Sequence, residues 1–282
     1  MSKLASASRL ARRWISSIPF FVVLGLILGG LISVPAIPKP NIAIIPISGL
    51  ILDQAYIDDM LDMLMYARDD DGIKAVVLQI DSPGGVVSAV EQIYLDVLRL
   101  RGEKPVVVSV GTVAASGGYY IAVASNFIYT QPTSQVGSIG AWSSLPRPEE
   151  LDEDVLTSGT FKATGGSRRK VIGALETVRQ QFVAAVMLQR GGRLKISEEE
   201  LSRAEIYTGT ECLRYGLIDA IGTRTAAIEK AASLARIRNY EVIELDIRKP
   251  FYFSDFGSSD MEALKSRTGL TPIYYHLYFE SR

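Results

Sequence analysis

The sequence has little of the residues that most often carry metal and redox chemistry. It contains one cysteine, Cys212, and one histidine, His276, among 282 residues. One cysteine cannot form a disulfide within the chain, and the two residues together offer too few soft ligands for a zinc site. We therefore expect no metal, no redox role and no other cofactor. Cys212 lies in a helical segment and is predicted to be a small buried side chain.

An excess of charge of one sign is also lacking. The 30 basic and 31 acidic residues nearly cancel, which leaves a formal net charge of -1. The chain therefore lacks the positive field that holds a nucleic-acid backbone, and we expect no nucleic-acid partner. A hydrophobic content of 48% is enough to fill the core of one large domain.

Charged residues are missing altogether between Arg13 and Lys39. Residues 18–34 are almost wholly apolar, and as a helix they are long enough to cross the hydrocarbon core of a bilayer. The residues before this stretch include no acidic one and four basic ones: Lys3, Arg9, Arg12 and Arg13. The positive-inside rule then keeps residues 1–13 in the cytoplasm and exports the rest of the chain. We predict a single-pass anchor in the cell membrane over residues 14–36, with membrane lipid as a partner.

Two other interpretations of this segment stay open. A signal peptidase could cut at the small residues around Val34 to Ala36, or the helix could belong to the core of a soluble domain. However, the apolar run is longer than the usual core of a signal peptide, and a soluble helix would leave the basic flank unexplained. Pro35 and Pro38 favour a stiff linker leaving the membrane, with residues 37–41 leading into the exported domain.

The rest of the chain alternates two patterns. Runs of β-branched residues indicate buried strands, and apolar residues three and four apart indicate the helices between them. The strand runs are 42–48, 75–80, 105–110 and 240–245, and the helices are 54–68, 86–101 and 167–190. Two capping-box signatures begin shorter helices: Ser197 with Glu200, and Thr208 with Glu211. The order predicts an α/β domain over residues 42–247 with a mainly helical C-terminal part, and a tail over residues 248–282 that is disordered or docks on a partner.

Ser116 lies where a strand gives way to a helix. In the stretch GTVAASGGYYIAVAS it follows a hydrophobic run and has Ala115 and Gly117 as neighbours. Small neighbours let a substrate backbone approach the hydroxyl, and the free amide of Gly117 can point at a developing oxyanion. Ser116 is therefore a candidate nucleophile, while tight helix packing is the simpler role of a serine in such a setting.

The segment QIDSPGGVVSA also ends a strand and begins a helix. Gly84 and Gly85 leave unhindered backbone amides beside an extended peptide. The segment is a candidate source of the second oxyanion donor, although an SPGG sequence taken alone is more often a plain turn.

A serine nucleophile needs a base, and His276 lies in the tail, after the domain framework ends. The remaining route is a lysine kept neutral by burial, because loss of water lowers the pKa of its amine. The neighbours of Lys162 in TSGTFKATGG are uncharged, whereas residues 168–170 form a charge cluster that stays solvated. Lys162 is therefore the candidate general base.

Five segments follow one another in an order characteristic of one peptidase family. They are DSPGG at 81–85, AASGGYYIA at 114–122, VGSIGA at 136–141, SGTFKATGG at 158–166 and IYTGTECLRYGLIDAIG at 206–222. Together they resemble the signal peptide peptidase A family of Ser/Lys peptidases, within the ClpP/crotonase superfamily, over roughly residues 42–245. The chain departs from the family where a proline and an arginine usually follow the lysine, and in the polar segment after GSIGA that begins with Trp142.

The resemblance implies a ClpP/crotonase-like spiral of ββα units that acts as a serine endopeptidase. Ser116 would be the nucleophile, Lys162 the general base, and Ser138 the hydroxyl that orients the lysine amine. The amides of Gly85 and Gly117 would form the oxyanion hole.

The resemblance also implies an assembly and a substrate class. Long members of the family carry two copies of the domain, whereas this chain carries one. A ring-shaped homo-oligomer is therefore expected, in which Lys162 acts on Ser116 of a neighbouring protomer. The implied substrates are remnant signal peptides and other extended or membrane-derived peptides.

Three alternatives stay open. A membrane peptidase of the stomatin-operon type would share the dyad and differ in cleavage preference. A catalytically silent membrane scaffold would fail active-site labelling. A CoA hydratase or isomerase of the crotonase type would use paired glycine amides on a thioester enolate, but export disfavours it because CoA is a cytosolic cofactor.

Overall fold

The structure, a computed structural model, describes residues 18–33, 39–144, 158–162, 165–245 and 274–276. It divides into two units, residues 1–39 and residues 40–282. The described part of the first unit holds one helix, α1 (Ile18–Ser33). Its 16 residues make a helix of about 24 Å. The remaining residues of the predicted anchor, and residues 1–13, lie outside the described part of the chain.

Apolar side chains of α1 are exposed, among them Phe21, Val22 and Leu26. Among the described residues, however, the helix whose length and composition would allow it to cross a membrane is Arg168–Arg193. Phe182 and Val186 of this helix are buried in the core of the second unit. A core helix of a soluble domain has the same length and composition, so these two properties do not by themselves indicate a membrane span.

The described part of the second unit is built on one nine-stranded sheet. Its strands are β1 (Asn41–Ile51), β2 (Ile73–Val86), β3 (Val106–Ala115), β4 (Phe127–Thr130), β5 (Gln135–Gly137), β6 (Ile206–Thr208), β7 (Ala220–Ile221), β8 (Glu241–Glu244) and β9 (Tyr274–His276). The helices are α2 (Gln54–Asp69), α3 (Val87–Glu103), α4 (Gly117–Ala122), α5 (Arg168–Arg190), α6 (Glu198–Leu201), α7 (Gly209–Tyr215) and α8 (Arg224–Ala235), with a 3-10 turn at Gly191–Arg193. The predicted α/β class is confirmed.

The main path of the sheet runs β6-β5-β3-β2-β1-β8. β4 pairs with β3 and β7, and β9 pairs with β2. All these pairs are parallel except β5 with β6 and β2 with β9. The strands predicted at 42–48, 75–80, 105–110 and 240–245 are β1, β2, β3 and β8, and both predicted capping boxes are present. The strand β9 lies in the tail, where no strand was predicted.

The sheet is covered on both faces. On one face α2, α3, α4 and α5 bury a large cluster that includes Ile45, Leu78 and Phe182. On the other face α8 covers a smaller cluster around Ile44 and Val77. Because parallel strands buried on both faces carry apolar side chains at nearly every position, β1, β2 and β3 are recognisable in the sequence. Cys212 is fully buried in α7 as predicted, and burial raises the pKa of its thiol to about 12.

Asp219 ties α5 to the strands at the edge of the sheet. Its carboxylate accepts two hydrogen bonds from the Arg190 guanidinium, at 2.9 and 3.0 Å, and one from the Ile128 N–H at 2.8 Å. The Arg190 and Asp219 side chains are only 3% and 7% exposed. Burial raises the pKa of the Asp219 carboxyl, but the hydrogen bonds and charge of Arg190, together with the Ile128 N–H and the Arg193 charge, outweigh burial and hold that pKa below its usual value.

Asp219→Asn is expected to lower the free energy of unfolding at neutral pH by about 3–5 kcal/mol, because it leaves the Arg190 charge buried without its partner. Since the folded pKa of Asp219 lies below the unfolded one, the wild-type advantage is full above about pH 4 and shrinks as the pH falls below it. Urea unfolding followed by circular dichroism measures both effects. Glu176→Gln is the control, because it breaks an exposed pair with Arg179 on α5 and should change little. Equal losses in the two variants would contradict the role of burial.

Candidate active site

Ser116 occupies the turn between β3 and α4. Its backbone has φ 50° and ψ -119°, a region that residues with a side chain rarely adopt. A strained turn between a strand and a helix is the arrangement that presents a nucleophilic serine in other α/β enzymes. The hydroxyl does not cap α4, and the residue is 1% exposed. The sequence-predicted nucleophile is therefore held in a costly conformation without serving as a helix cap.

The turn is fixed on both sides. The Ser116 N–H donates to the Gly137 carbonyl at 2.8 Å, and its carbonyl accepts from the Tyr120 N–H at 2.9 Å. Tyr119, the residue before Tyr120, is fully buried, and its hydroxyl donates to the Leu217 carbonyl at 2.7 Å. Burial raises the pKa of Tyr119 far above its ordinary value, so the hydroxyl stays a neutral donor. These bonds anchor α4 between β5 and the segment after α7.

The predicted oxyanion segment is shaped by Ser82. The buried Ser82 hydroxyl donates to the Gly49 carbonyl at 2.6 Å and accepts from the Gly84 N–H at 3.1 Å. Gly84 has φ 106°, a conformation that favours glycine. A Cβ on Gly85 would come within 2.1 Å of the Ile51 carbonyl oxygen. Glycine is therefore required here by the close approach of β1.

The same segment packs directly against the start of α4. A Cβ on Gly118 would come within 2.5 Å of the Ser82 carbonyl oxygen. As the first residue of α4, Gly117 has an N–H without a partner inside the helix. The glycines of DSPGG and of ASGGYY thus bring two backbone segments together beside Ser116.

Asp81 supports β3 just before Ser116. The register of β2 with β3 is irregular between Ile80 and Ser82, so regular pairing is interrupted there. The Asp81 carboxylate accepts from the Thr112 N–H at 3.2 Å and from the Val113 N–H at 3.0 Å. It therefore replaces main-chain acceptors at the irregularity and sets the path of the strand into Ser116.

Asp81→Ala is expected to lower kcat by about 10²-fold with little change in KM, because small displacements of a reacting group cost rate. Asp81→Asn keeps an oxygen acceptor and should restore most of the lost rate. Steady-state kinetics on a fluorogenic peptide distinguish the three chains. A fall in activity that is the same for alanine and asparagine would contradict a positioning role.

Ser138 directly follows β5, the strand that pairs with the end of β3. β3 pairs in parallel with β5, with Ala115 opposite Gly137, so the next residues are Ser116 and Ser138. Adjacent strands are about 4.8 Å apart. Ser138 has φ 53°, is half-buried, and donates its N–H to the Glu205 carbonyl at 2.8 Å. Ser116 and Ser138 therefore each follow the last paired residue of neighbouring strands, and both have positive φ.

Lys162, unlike Ser116 and Ser138, is exposed. It ends the described segment 158–162, where its N–H donates to the Gly159 carbonyl at 3.0 Å and its side chain is exposed. Among the described residues, no hydrogen bond joins its amine to Ser116 or Ser138. The residues on either side, 145–157 and 163–164, lie outside the described part of the chain. The structure of one chain thus packs the DSPGG segment against the start of α4 and places Ser138 after the strand that pairs with β3, and it does not bring Lys162 to Ser116.

The sequence-based interpretation missed two supporting residues, Asp81 and Ser82. Both stand within DSPGG, next to the glycines that were singled out, so their polar side chains in a buried strand end were an available signal. The Glu205 carbonyl could not be found in the same way, because its contact with Ser138 depends on the antiparallel pairing of β5 with β6.

Comparison with known proteins places the chain in a family. Residues 99–238 match the model of peptidase family S49, and residues 41–136 match that of Clp protease. A chain from Synechocystis sp. named as a protease, slr0021, is 31% identical over 225 residues, which cover 73% of this chain and 80% of that one. The chain belongs to peptidase family S49. The predicted relationship to signal peptide peptidase A is thereby confirmed, and a chain from Enterococcus faecium named as signal peptide peptidase SppA is 26% identical over 200 residues, 66% of this chain and 58% of that one.

Other members of the S49 family are much longer. Protease 4 of Salmonella typhi is 30% identical over 228 residues, which cover 74% of this chain and 37% of Protease 4. The chain thus spans little more than a third of that relative. Among solved structures, the 1510-N membrane-bound stomatin-specific protease in complex with a substrate peptide superimposes with a TM-score of 0.51. The match covers 78% of this chain and 96% of that one at 18% identity, and it concerns the fold alone.

Proposed function

We propose that this S49-family chain is a serine endopeptidase in which Ser116 attacks the peptide carbonyl and Lys162 is the general base. The observation that carries the proposal is the backbone of Ser116, with φ 50° at the junction of β3 and α4. Such a conformation costs free energy, and strained residues of this kind cluster at catalytic sites. A serine that only packed between a strand and a helix would not need it.

The proposed reaction follows from the groups around Ser116. The Lys162 amine takes the proton of the Ser116 hydroxyl while the Ser116 oxygen attacks the carbonyl carbon of the peptide. The carbonyl oxygen becomes an oxyanion, which the N–H groups of Gly85 and Gly117 stabilise. The protonated lysine then gives its proton to the leaving amine, and water hydrolyses the resulting ester. Ser138, which follows the strand paired with β3, accepts a hydrogen bond that orients the lysine amine.

Lys162 needs burial to act as a base, because removal of water favours the neutral amine. In the single chain the side chain is exposed. We therefore propose that a neighbouring protomer supplies the covering surface, in a ring in which Lys162 of one chain serves Ser116 of the next.

The proposed location is the cell membrane. The exposed apolar side chains of α1 require an apolar environment around the helix. An anchor over residues 14–36, with the N-terminus in the cytoplasm and the peptidase domain outside, provides one. Extended peptides released in the membrane, including remnants of signal peptides, are then the substrates within reach.

The test is incubation of the full chain, in detergent micelles, with unfolded casein and with a synthetic signal peptide. Products are mapped by mass spectrometry. Cleavage within both substrates that persists in the presence of a metal chelator is the expected result. Absence of any product from an assembled, folded chain would indicate a silent scaffold instead.

A further inference from the structure

The edge of β2 next to Ser116 is open to another strand. β1 follows one edge of β2 as far as Ile51 opposite Gly85. β3 follows the other edge only as far as Ala114 opposite Ser82. After Ala115 the chain turns through Ser116 into α4, so β3 leaves this edge just before Gly84. The backbone of β2 beyond residue 82 therefore has a free side that faces the nucleophile turn.

The tail of the same chain fills this edge. β9 pairs antiparallel with β2, with His276 opposite Gly84, Tyr275 opposite Gly85 and Tyr274 opposite Val86. Because β1 already pairs with Gly84 and Gly85 on one side, β9 must lie on the side that β3 has left. It also contacts α3 and α4, and α4 is the helix that begins after Ser116. β9 thus occupies the edge of β2 that β3 has left, next to the helix that begins after Ser116.

A peptide substrate needs the same edge of β2 that β9 occupies. An extended peptide binds a free strand edge through main-chain hydrogen bonds. Gly84 and Gly85 offer backbone and no side chain, so this edge selects strand shape more than sequence. We propose that Tyr274–His276 is a built-in competitor that occupies the peptide-binding edge of β2, and that a substrate binds only after this segment has left. The inference rests on the proposed function, because it needs a peptide substrate.

The tail is suited to be displaced. β9 forms only three residue pairs with β2. Residues 245–273 connect it to β8, and 29 residues would span about 95 Å if they were fully extended. The hydrogen bonds between β9 and β2 favour the docked tail over the released tail by about tenfold to a hundredfold. The segment can therefore hinder weak substrates and still yield to peptides that bind more tightly.

The test uses the full chain with Tyr274→Pro and Tyr275→Pro together. Adjacent residues of a strand direct their N–H groups to opposite sides, so one of the two prolines must remove a donor to β2. The control is Tyr274→Phe with Tyr275→Phe, which keeps both N–H groups. Of the Gly85 and Val86 amides, one faces β9, and its hydrogen exchange should become about tenfold faster in the proline variant only. Exchange that is the same in wild type and both variants would overturn docking.

Competition is measured separately. For a short fluorogenic peptide, the proline variant should show a KM about tenfold lower than wild type and the phenylalanine control, with kcat unchanged. A fluorescein-labelled peptide of residues 271–279 should also bind Ser116→Ala chains about tenfold more tightly when the two prolines are present. The binding and exchange measurements need no catalysis, so they decide the inference even if no chain cleaves peptides. Faster exchange together with equal peptide affinity would overturn the competitor role.

Discussion

Ser116→Ala is expected to abolish cleavage of unfolded casein, with kcat reduced by about 10⁴-fold or more. The substitution removes the only atom proposed to bond to the substrate carbon, while the backbone that forms the turn is kept. Residual hydrolysis would then reflect only the oxyanion donors and bound water. The variant should remain folded, because the Ser116 hydroxyl does not cap α4.

Ser109→Ala is the matched control for this loss. Ser109 lies on the same strand, β3, and is also buried, at 5% exposure. It should keep activity within a small factor of wild type, and both variants should give the wild-type circular dichroism and oligomer mass. Retained turnover in Ser116→Ala, or an equal loss in Ser109→Ala, would refute the nucleophile assignment.

Lys162→Ala is expected to lower kcat by about 10³-fold, within the range that general-base catalysis contributes. Lys170→Ala is the control, because Lys170 is an exposed lysine near the start of α5. It should leave the rate nearly unchanged. His276→Ala should also leave it nearly unchanged, and a loss that follows His276 in place of Lys162 would overturn the base assignment.

Mixed oligomers test whether one active site is shared between two protomers. If Lys162 of one chain serves Ser116 of the next, mixed oligomers of Ser116→Ala and Lys162→Ala chains contain some intact sites. Partial activity should therefore return after subunit exchange, although each variant alone is inactive. No recovery after exchange verified by mass spectrometry would place both residues of a working site in one protomer.

Much of the fold could be predicted because the central strands carry strong local signals. β1, β2 and β3 are buried on both faces and consist of β-branched runs, and Ser197 and Thr208 begin helices through capping boxes that involve neighbours three residues away. The short strands were not predicted, since the two to four residues of β4 to β7 carry no periodicity of their own. β9 depends on an edge that opens only where β3 turns away, which is a property of the folded sheet.

Some residues of the candidate site could likewise be predicted from the sequence, and others could not. Ser116, Gly117 and the Gly84–Gly85 segment were predicted because strand-to-helix junctions and adjacent small residues are visible in the sequence. The choice of Gly85 and the role of Ser138 came from the family resemblance, and the pairing of β3 with β5 puts Ser116 and Ser138 after the ends of neighbouring strands. Lys162 stays a prediction, because its side chain is exposed in the single chain.

The most direct measurement is covalent labelling of the full chain with a fluorophosphonate, which reacts with activated serine hydroxyls, followed by peptide mapping. The expected result is one labelled residue, Ser116, and labelling at least about 10²-fold slower in Lys162→Ala than in wild type or Lys170→Ala. Label on another residue, or Ser116 labelled equally fast without the Lys162 amine, would contradict a Ser116 hydroxyl activated by Lys162.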